Sequence, residues 1–473
     1  MSNRRRLVAV VGVLVVLVVG GLLDRRSRPA SRVATAPPTP MAAAATARSS
    51  AWYCTGATAK KDGAANGTLV IANAGARGLT GTVTVYPSEG ERRSAPVQVG
   101  VWSRATMELS HLAPAPFASA LVELDGGEAV VELAADGPLG QSVTSCASAA
   151  SPQWYFADGV TTKDAAETLA LFNPFPDDAV VDVAFGTEDG PVTPQALTGL
   201  AVRAEGMTVV NTGDFVQRRQ QVTAAVRARA GRLVAARLQT FDGTAGRKGM
   251  SVTLGAAAPG TLWYLPDGLV ADGLSERYQI YNPGDQEAQV HVELTLERGE
   301  AEPMHLTVPA ESRVTITADD EPRIPKTVPH AVTVRSDKGI GVVVERSIDA
   351  VAPSRRTGHA ATLGARLAAR GWCLAAGESD DSTDEFLVFE NPGRSPARVS
   401  VTVLADGTPL PAGGIQDLEV AAGQRRAVRL GDSVKRDATP LVVHSDQPVI
   451  VERVLNRLKG IGISQSVGIP LRG

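Results

Sequence analysis

The stretch WYFADGVTTKDAAETLALFNP, residues 154–174, recurs in related form along the chain. It opens on two aromatic residues, passes through a small polar loop and closes an apolar run on Asn-Pro. The related stretches begin at Trp52, Trp263 and Trp372, so the four Trp positions are 102, 109 and 109 residues apart. The landmark Asn follows 19 residues after Trp in the last three copies and 21 after it in the first: Asn73, Asn173, Asn282 and Asn391.

A second landmark lies late in each copy. Three copies carry Glu 80 to 82 residues after their Trp, at Glu132, Glu345 and Glu452. Arg occupies the next position in the last three copies, at Arg237, Arg346 and Arg453. The first copy has Leu133 in place of Arg, and the second has Ala236 in place of Glu. Landmarks kept in register over such a distance predict four tandem copies of one structural unit.

Within a copy, the apolar residues alternate with polar ones. In AQVHVELTLERG, residues 288–299, apolar side chains at Val290, Val292, Leu294 and Leu296 give the period of two that is typical of a half-buried strand. Turn residues follow every 8–12 positions. The pattern predicts an all-β protein of four tandem immunoglobulin-like antiparallel β-sandwich domains after an N-terminal transmembrane helix. We place the domains at residues 51–147, 153–255, 262–365 and 371–473.

The repeated phrase itself has a structural explanation. The large rings of Trp52, Trp154, Trp263 and Trp372 are predicted to anchor the repeat cores. The Asn of Asn-Pro is expected to accept backbone hydrogen bonds in a turn, and Pro ends the strand. Stacking of these Trp residues on sugar rings is the alternative, but core packing explains their recurrence beside apolar runs more simply. Trp102 lies outside the repeated position and is therefore the candidate ligand contact.

The N-terminus resembles a membrane signal. Arg4, Arg5 and Arg6 in a cytoplasmic segment at 1–6 precede an uncharged run at 7–23. Seventeen residues at roughly 1.5 Å each span about 25 Å, which is the short end of what crosses a bilayer. Charged residues follow at once, so an uncleaved signal anchor is favoured over a cleaved peptide. Residues 24–50, rich in Pro, Ala, Ser and Thr, are predicted to form a flexible linker.

Three cysteines bear on the compartment. Cys54 and Cys146 lie near the two ends of the first copy, where the first and last strands of a sandwich can meet. A bridge there would close a loop of roughly 90 residues and contribute about 4–5 kcal/mol on the chain-entropy model. Such a bond persists outside the reducing cytosol, whereas two unrelated buried thiols are the alternative. Cys373 stands where the other copies have Tyr, and we expect it to be a buried apolar substitute.

Motifs for chemistry are absent from the sequence. The six histidines show no metal-ligand spacing, and there is no P-loop, nucleophile elbow or dinucleotide motif. A net charge of −3 also argues against nucleic-acid binding. The acidic loop at 378–385 offers oxygen ligands for Ca²⁺ at Asp380, Asp381, Asp384 and Glu385, but solvated acidic loops are common. We therefore predict no catalytic, metal or cofactor site. The Glu-Arg positions are expected to pair against a neighbouring strand.

The combined motifs resemble a repeat of actinobacterial envelope proteins. With its N-terminal apolar segment and early Trp-Tyr-Cys, the chain is similar over residues 4–473 to a single-pass actinobacterial family of unknown function. The resemblance implies a β-rich extracytoplasmic protein and supplies no catalytic residues. The first copy departs from the pattern with Asn73-Ala74, and Cys373 replaces the usual Tyr.

Together these observations predict a non-enzymatic, membrane-anchored scaffold of the cell envelope. Its repeats are expected to form a semi-rigid, rod-like string reaching on the order of 100–150 Å if extended. Its partners would be the membrane and an envelope glycan or a surface protein. Polysaccharide binding is the alternative function, and an envelope enzyme is a third.

Overall fold

The computed structural model describes residues 39–472. The predicted cytoplasmic segment at 1–6, the signal anchor at 7–23 and most of the predicted linker at 24–50 lie outside the described residues. In the described part of the chain, no helix is long and apolar enough to cross a membrane.

The regular secondary structure of the described chain is almost entirely antiparallel β-strand, as predicted. The first repeat contains β1 (Ser50–Ala59), β2 (Asn66–Asn73), β3 (Leu79–Pro87), β4 (Arg93–Val99), β5 (Ser103–Glu108), the short helix α1 (Leu109–Leu112), β6 (Ala115–Leu124), β7 (Ala129–Gly137) and β8 (Gly140–Ser145). The second contains β9 (Gln153–Phe156), β10 (Ala165–Asn173), β11 (Ala179–Thr187), β12 (Gly190–Val192), β13 (Leu200–Val202), β14 (Gly206–Asn211), β15 (Val222–Ala230), β16 (Val234–Asp242) and β17 (Lys248–Leu254).

The other two repeats follow the same order of elements. The third contains β18 (Leu262–Leu265), β19 (Leu274–Asn282), β20 (Ala288–Leu296), β21 (Met304–Val308), β22 (Ser312–Thr317), β23 (His330–Ser336), β24 (Val343–Ala350) and β25 (Gly358–Leu363). The fourth contains β26 (Ala369–Leu374), β27 (Thr383–Asn391), β28 (Ala397–Ala405), β29 (Thr408–Pro411), β30 (Leu418–Val420), β31 (Gln424–Arg429), β32 (Leu441–Arg457), β33 (Ile463–Val467) and β34 (Ile469–Pro470). Short 3₁₀ turns lie at Gln195–Leu197, Thr212–Asp214, Ala318–Asp320 and Leu430–Asp432.

The second and third repeats are each built from two small sheets, whereas β1 in the first repeat and β32 in the fourth join the corresponding sheets into one of eight and one of nine strands. In the third repeat, one sheet has the order β18-β23-β20-β21 and contains the Trp strand. The other has the order β22-β19-β24-β25, and it contains the Asn strand, the Glu-Arg strand and the last strand of the repeat. Apolar residues from both sheets share one core, which includes Trp263, Ile280, Val292 and Val334.

The last strands of the four repeats pack against one another in a closed cycle. We call β8, β17, β25 and β33 the central strands. The backbone N–H of Val143 in β8 donates to Ser464 Oγ of β33 at 2.8 Å, and the N–H of Val252 in β17 donates to Ser142 Oγ of β8 at 2.9 Å. The N–H of Gly462, beside β33, donates to the carbonyl of Thr357, beside β25, at 2.8 Å. The fourth repeat thus contacts the first, and the repeats form a ring.

The ring corrects two predictions from the sequence. The rod-like string is wrong, because the fourth repeat contacts the first and the repeats close on themselves. The predicted flexible linker at 24–50 extends too far toward the C-terminus, because its last residues pack against the repeats. Ala42 is fully buried, and its N–H donates to the carbonyl of Pro470 at 3.0 Å. The N–H of Glu128 donates to the carbonyl of Ala43, so this segment joins the first repeat to the fourth.

Candidate functional site: the interfaces between repeats

The repeated Trp residues occupy equivalent buried places. Each of the four side chains is at most 2 % exposed and packs in a repeat core. The indole N–H of Trp154 donates to the carbonyl of Leu233 at 2.8 Å, and that of Trp263 donates to Val342 at 2.9 Å. The equivalent bond of Trp372 goes to Val449 at 3.0 Å.

The landmark Asn residues do more than accept turn hydrogen bonds. All four are fully buried at the end of a strand. The amide nitrogen of Asn173 donates to the carbonyls of Asp177 at 2.9 Å and Val202 at 3.0 Å, and its oxygen accepts the N–H of Phe175 at 3.1 Å. Asn282 and the other two make the same set of bonds. One side chain therefore ties two loops to a strand end.

The repeated Glu and Arg residues form ion pairs between repeats, which corrects the expectation of local pairing. Arg237 Nη2 lies 2.6 Å from Glu345 Oε2 of the next repeat, and Arg346 pairs likewise with Glu452. Ring closure brings the last pair together, because Arg453 Nη2 lies 3.0 Å from Glu132 Oε1 of the first repeat. All six side chains are at most 1 % exposed. Neighbours along a strand point to opposite sides, so each Glu and the Arg after it serve different interfaces.

A second buried carboxylate, missed in the sequence, lies beside each Arg. Repeats two to four carry Glu six residues before the landmark Asn, at Glu167, Glu276 and Glu385, all at most 1 % exposed. Burial raises the pKa of Glu167 to about 7 and that of Glu385 to about 8, although the nearby Arg237 and Arg453 act against this. Each of these interfaces thus holds one guanidinium between two carboxyl groups. The constant distance to Asn was the available sequence signal.

The interface between the first and second repeats replaces this polar cluster with apolar residues. Gly67, Leu133 and Ala236 occupy the positions that hold Glu, Arg and Glu elsewhere. A Cβ atom on Gly67 would lie 3.2 Å from Leu133 Cδ1, which shows that the two positions face each other. The missing Arg and the missing Glu noted in the sequence therefore belong to one interface.

Glycine marks the point where the central strands converge. Gly140, Gly249, Gly358 and Gly462 occupy equivalent positions. A Cβ atom on Gly249 would lie 2.1 Å from the backbone nitrogen of His359 in the next repeat, and one on Gly358 would lie 2.9 Å from that of Ile463. No larger residue fits so close an approach of backbones.

The first repeat contains a disulfide between Cys54 and Cys146, whose Cα atoms lie 4.6 Å apart. Cys373 is fully buried and forms a backbone bridge to Ile469 where other repeats pair Tyr with Ala. Burial, with the Glu132 carboxylate nearby, raises the pKa of its thiol well above the usual range.

The two candidate ligand sites from the sequence are Trp102 and the acidic loop at 378–385, and both make contacts within the protein. Trp102 lies in a tight turn with φ of 46° and packs, partly buried, against the core of the first repeat. Its carbonyl accepts the N–H of Gly407 from the fourth repeat at 3.4 Å. In the acidic loop, Asp384 pairs with Arg429, Glu385 is buried, and Asp381 is exposed. Asp380 accepts the N–H of Ser382 at 2.6 Å. Among residues 39–472, no group of His, Cys, Asp and Glu could hold a metal ion.

The fold and its interfaces define a ring of four all-β repeats, joined by buried ion pairs at three interfaces and by apolar residues at the fourth. A sequence profile described as a family of unknown function, DUF5719, matches residues 128–323. No curated protein matches the chain.

Several solved structures are similar to parts of the chain. Thermotoga maritima protein 1070 is 21% identical over 23% of this chain and 94% of its own, with a TM-score of 0.21. The Anabaena sensory rhodopsin transducer is 25% identical over 19% of this chain and 96% of its own, with a TM-score of 0.17. The Streptomyces avermitilis α-L-rhamnosidase is 10% identical over 72% of this chain and 44% of its own, with a TM-score of 0.16.

Proposed function

We propose that the chain is a non-enzymatic, membrane-anchored scaffold of an actinobacterial cell envelope. Its extracytoplasmic part would be a rigid ring of four immunoglobulin-like sandwich repeats that holds a surface protein or glycan. The observation that carries the proposal is the set of buried ion pairs across three of the four interfaces. In these pairs, the repeated Glu and Arg side chains bind neighbouring repeats to each other.

Rigidity follows from the way the ring is closed. A buried pair such as Glu132 and Arg453 is strongly destabilised when one member is removed or displaced, at a cost of about 3–5 kcal/mol. The repeats therefore resist moving apart, and the outer surface keeps a fixed shape. A preorganised surface loses less conformational entropy on binding, which suits a scaffold.

An oxidising location is supported by the disulfide. Cys54 and Cys146 are both 1 % exposed and bonded to each other, an arrangement that cytosolic thiol reductants would oppose. The uncharged run at 7–23 would tether the ring to the membrane. Polysaccharide binding through Trp102 is less favoured, because that side chain packs against the first core beside the fourth repeat.

Topology and oxidation can be tested together in cells. A thiol-reactive reagent of large mass should label the denatured full chain once, at Cys373, and three times after reduction. A reporter active only outside the cytosol, fused after Gly473, should be active. Labelling at Cys54 and Cys146 without reduction would contradict the extracytoplasmic assignment.

The scaffold role requires a partner on the ring. Leu410 and Leu458 are exposed large apolar residues, at 41 % and 47 %, and are suitable places for a photo-crosslinking amino acid. We expect a discrete adduct in intact cells from at least one of them, and none from the same group placed at the buried Val401. Turnover of wall glycan or peptide substrates by the purified full chain would contradict a non-enzymatic role.

A further inference from the structure

A polar cavity of about 270 Å³ lies at the interface between the second and third repeats. Its volume is just below the usual range of small-molecule pockets. Both repeats contribute to its wall. The wall residues that matter here are Phe241, Arg277, Gln279, Arg313, Thr315 and His359.

The cavity wall carries more positive than negative charge. Arg247, Arg277 and Arg313 line it together with two carboxylates, Asp158 and Asp349. Arg313 is the most deeply placed, with a side chain only 6 % exposed, and its Nη1 donates to the carbonyl of Ala157 at 3.0 Å. Arg277 lies 2.7 Å from Asp349. Arg313 lies 3.6 Å from Asp158, and Arg247 lies 3.6 Å from Asp164, so each guanidinium has one carboxylate partner. Because a guanidinium has five N–H donors, an anionic ligand could share these groups with their carboxylates.

Four polar atoms on this wall have no hydrogen-bond partner within residues 39–472. They are Gln279 Oε1, Arg313 Nε, Thr315 Oγ1 and His359 Nε2. The opposite ends of two of these groups are fixed: Gln279 Nε2 donates to Ser347 Oγ at 2.6 Å, and His359 Nδ1 lies 2.8 Å from Asp349 Oδ1. Gln279 is 1 % and His359 is 3 % exposed. Each hydrogen bond that a ligand makes to one of these groups should contribute a net of about 0.5–1.5 kcal/mol to binding.

The ring itself does not require a polar wall here. At the equivalent interface of the third and fourth repeats, the strand registers place Val388, Val454 and Ile463 where Gln279, Ser347 and His359 stand. Phe386 takes the place of Arg277. Apolar residues thus close the same junction elsewhere, and the polar set serves something other than closure.

We propose that this cavity binds a small hydroxylated carboxylate, of the size of a monosaccharide acid or smaller. Arg277 and Arg313 provide guanidinium groups for the carboxylate, the pairing that arginine forms with the best geometry. Gln279 Oε1 and Thr315 Oγ1 accept hydrogen bonds from ligand hydroxyls. The ring of Phe241, edge-on to His359 with centroids 4.7 Å apart, gives an apolar wall for the carbon skeleton. The site is independent of the proposed scaffold role.

The test uses the full-length chain in a non-glycosidic detergent. Thermal unfolding is followed by tryptophan fluorescence, and affinity is measured by titration calorimetry, with glucuronate and tartrate as probes. Glucose presents hydroxyls alone and phosphate presents charge alone. We expect saturable binding and a raised Tm with at least one hydroxy acid, and at least tenfold weaker binding of glucose and of phosphate.

Two variants copy residues that the fourth repeat already uses. Gln279→Val and His359→Ile each remove an unpaired buried atom but also the partner of Ser347 or Asp349, so each should lower the Tm without ligand by a few degrees and still unfold cooperatively. Each should weaken hydroxy-acid binding by about tenfold or more. Arg398→Gln, on the exposed surface of the fourth repeat, is the matched control and should bind as the unaltered chain does.

Several results would overturn the proposal. They are no binding of either hydroxy acid at millimolar concentration, unchanged affinity in both cavity variants, or glucose or phosphate binding as tightly as the hydroxy acids. None of them bears on the cell-surface location or the adducts that test the scaffold role.

Discussion

Removing the ion pair between Glu132 and Arg453 tests whether the ring is closed in solution. The two residues belong to the first and fourth repeats and are 321 positions apart. Both side chains are fully buried, with Arg453 Nη2 at 3.0 and 3.1 Å from the two oxygens of Glu132. Glu132 also accepts the N–H of Ala376 at 2.7 Å. The perturbation is a double-mutant cycle of Glu132→Ala and Arg453→Leu.

The expected energies follow from what each variant leaves behind. Either single substitution strands a buried charge and should lower the free energy of unfolding by about 3–5 kcal/mol. The double variant puts Leu and Ala at the positions equivalent to Leu133 and Ala236, which are both buried in the first two repeats. It removes both charges, so we expect a loss no larger than that of one single variant. The coupling energy should therefore be at least about 3 kcal/mol.

The assay is guanidinium unfolding of the oxidised full-length chain in detergent at pH 6, followed by tryptophan fluorescence. An exposed pair, Arg398 and Glu419, lies 3.4 Å apart within the fourth repeat and serves as a control. Its cycle should give a coupling close to zero.

Small single losses that simply add in the double variant would refute the closed ring. In an open string of repeats, these residues would face solvent at opposite ends, and each single substitution would cost little. Large single losses with no recovery in the double variant would instead show that the apolar pair is not an adequate substitute, and would refute the equivalence of the interfaces.

Three further predictions concern single sites. The chain should lose stability as pH rises from about 5 to 8.5, because burial raises the pKa of Glu385 to about 8 and the folded state keeps a proton that the unfolded chain releases near the ordinary value. Glu167, Glu390 and Glu452, whose pKa values are also raised, contribute to the same slope, so Glu385→Gln should reduce it in unfolding measured across that range. Asn282→Ala should cost about 2–4 kcal/mol in denaturant unfolding, since it leaves several buried backbone groups unpaired. Gly249→Ala should lower Tm by several degrees because its Cβ meets the next repeat, while Gly413→Ala, with open space around the added methyl group, should leave Tm unchanged.

The sequence predicted the units of this fold better than their arrangement. Period-two alternation and turn residues act over neighbouring positions, so β-structure and the recurring Trp and Asn anchors could be read from them. Arg237 and Glu345 are 108 residues apart, and nothing local shows that they meet. Closure depends on how repeats rotate against one another, which linker length alone does not determine. The recurring Gly249 and Glu276 positions were visible in the alignment of copies and marked the interfaces.

The apolar interface between the first two repeats determines which two repeats can meet there. Four positions differ there together: Gly67, Leu133 and Ala236, and also Met207, which stands where the third and fourth repeats have Arg313 and Arg425. If a repeat that presents Glu or Arg at these positions packed against this apolar face, its charged side chain would be buried without a partner. The cost would be several kcal/mol. The apolar edge of the first repeat therefore fits only the edge of the second that presents Ala236. Four identical interfaces would tolerate any cyclic arrangement of the repeats, whereas the odd interface fixes that the first repeat meets the second. The short connections between successive repeats then place the third and fourth in order.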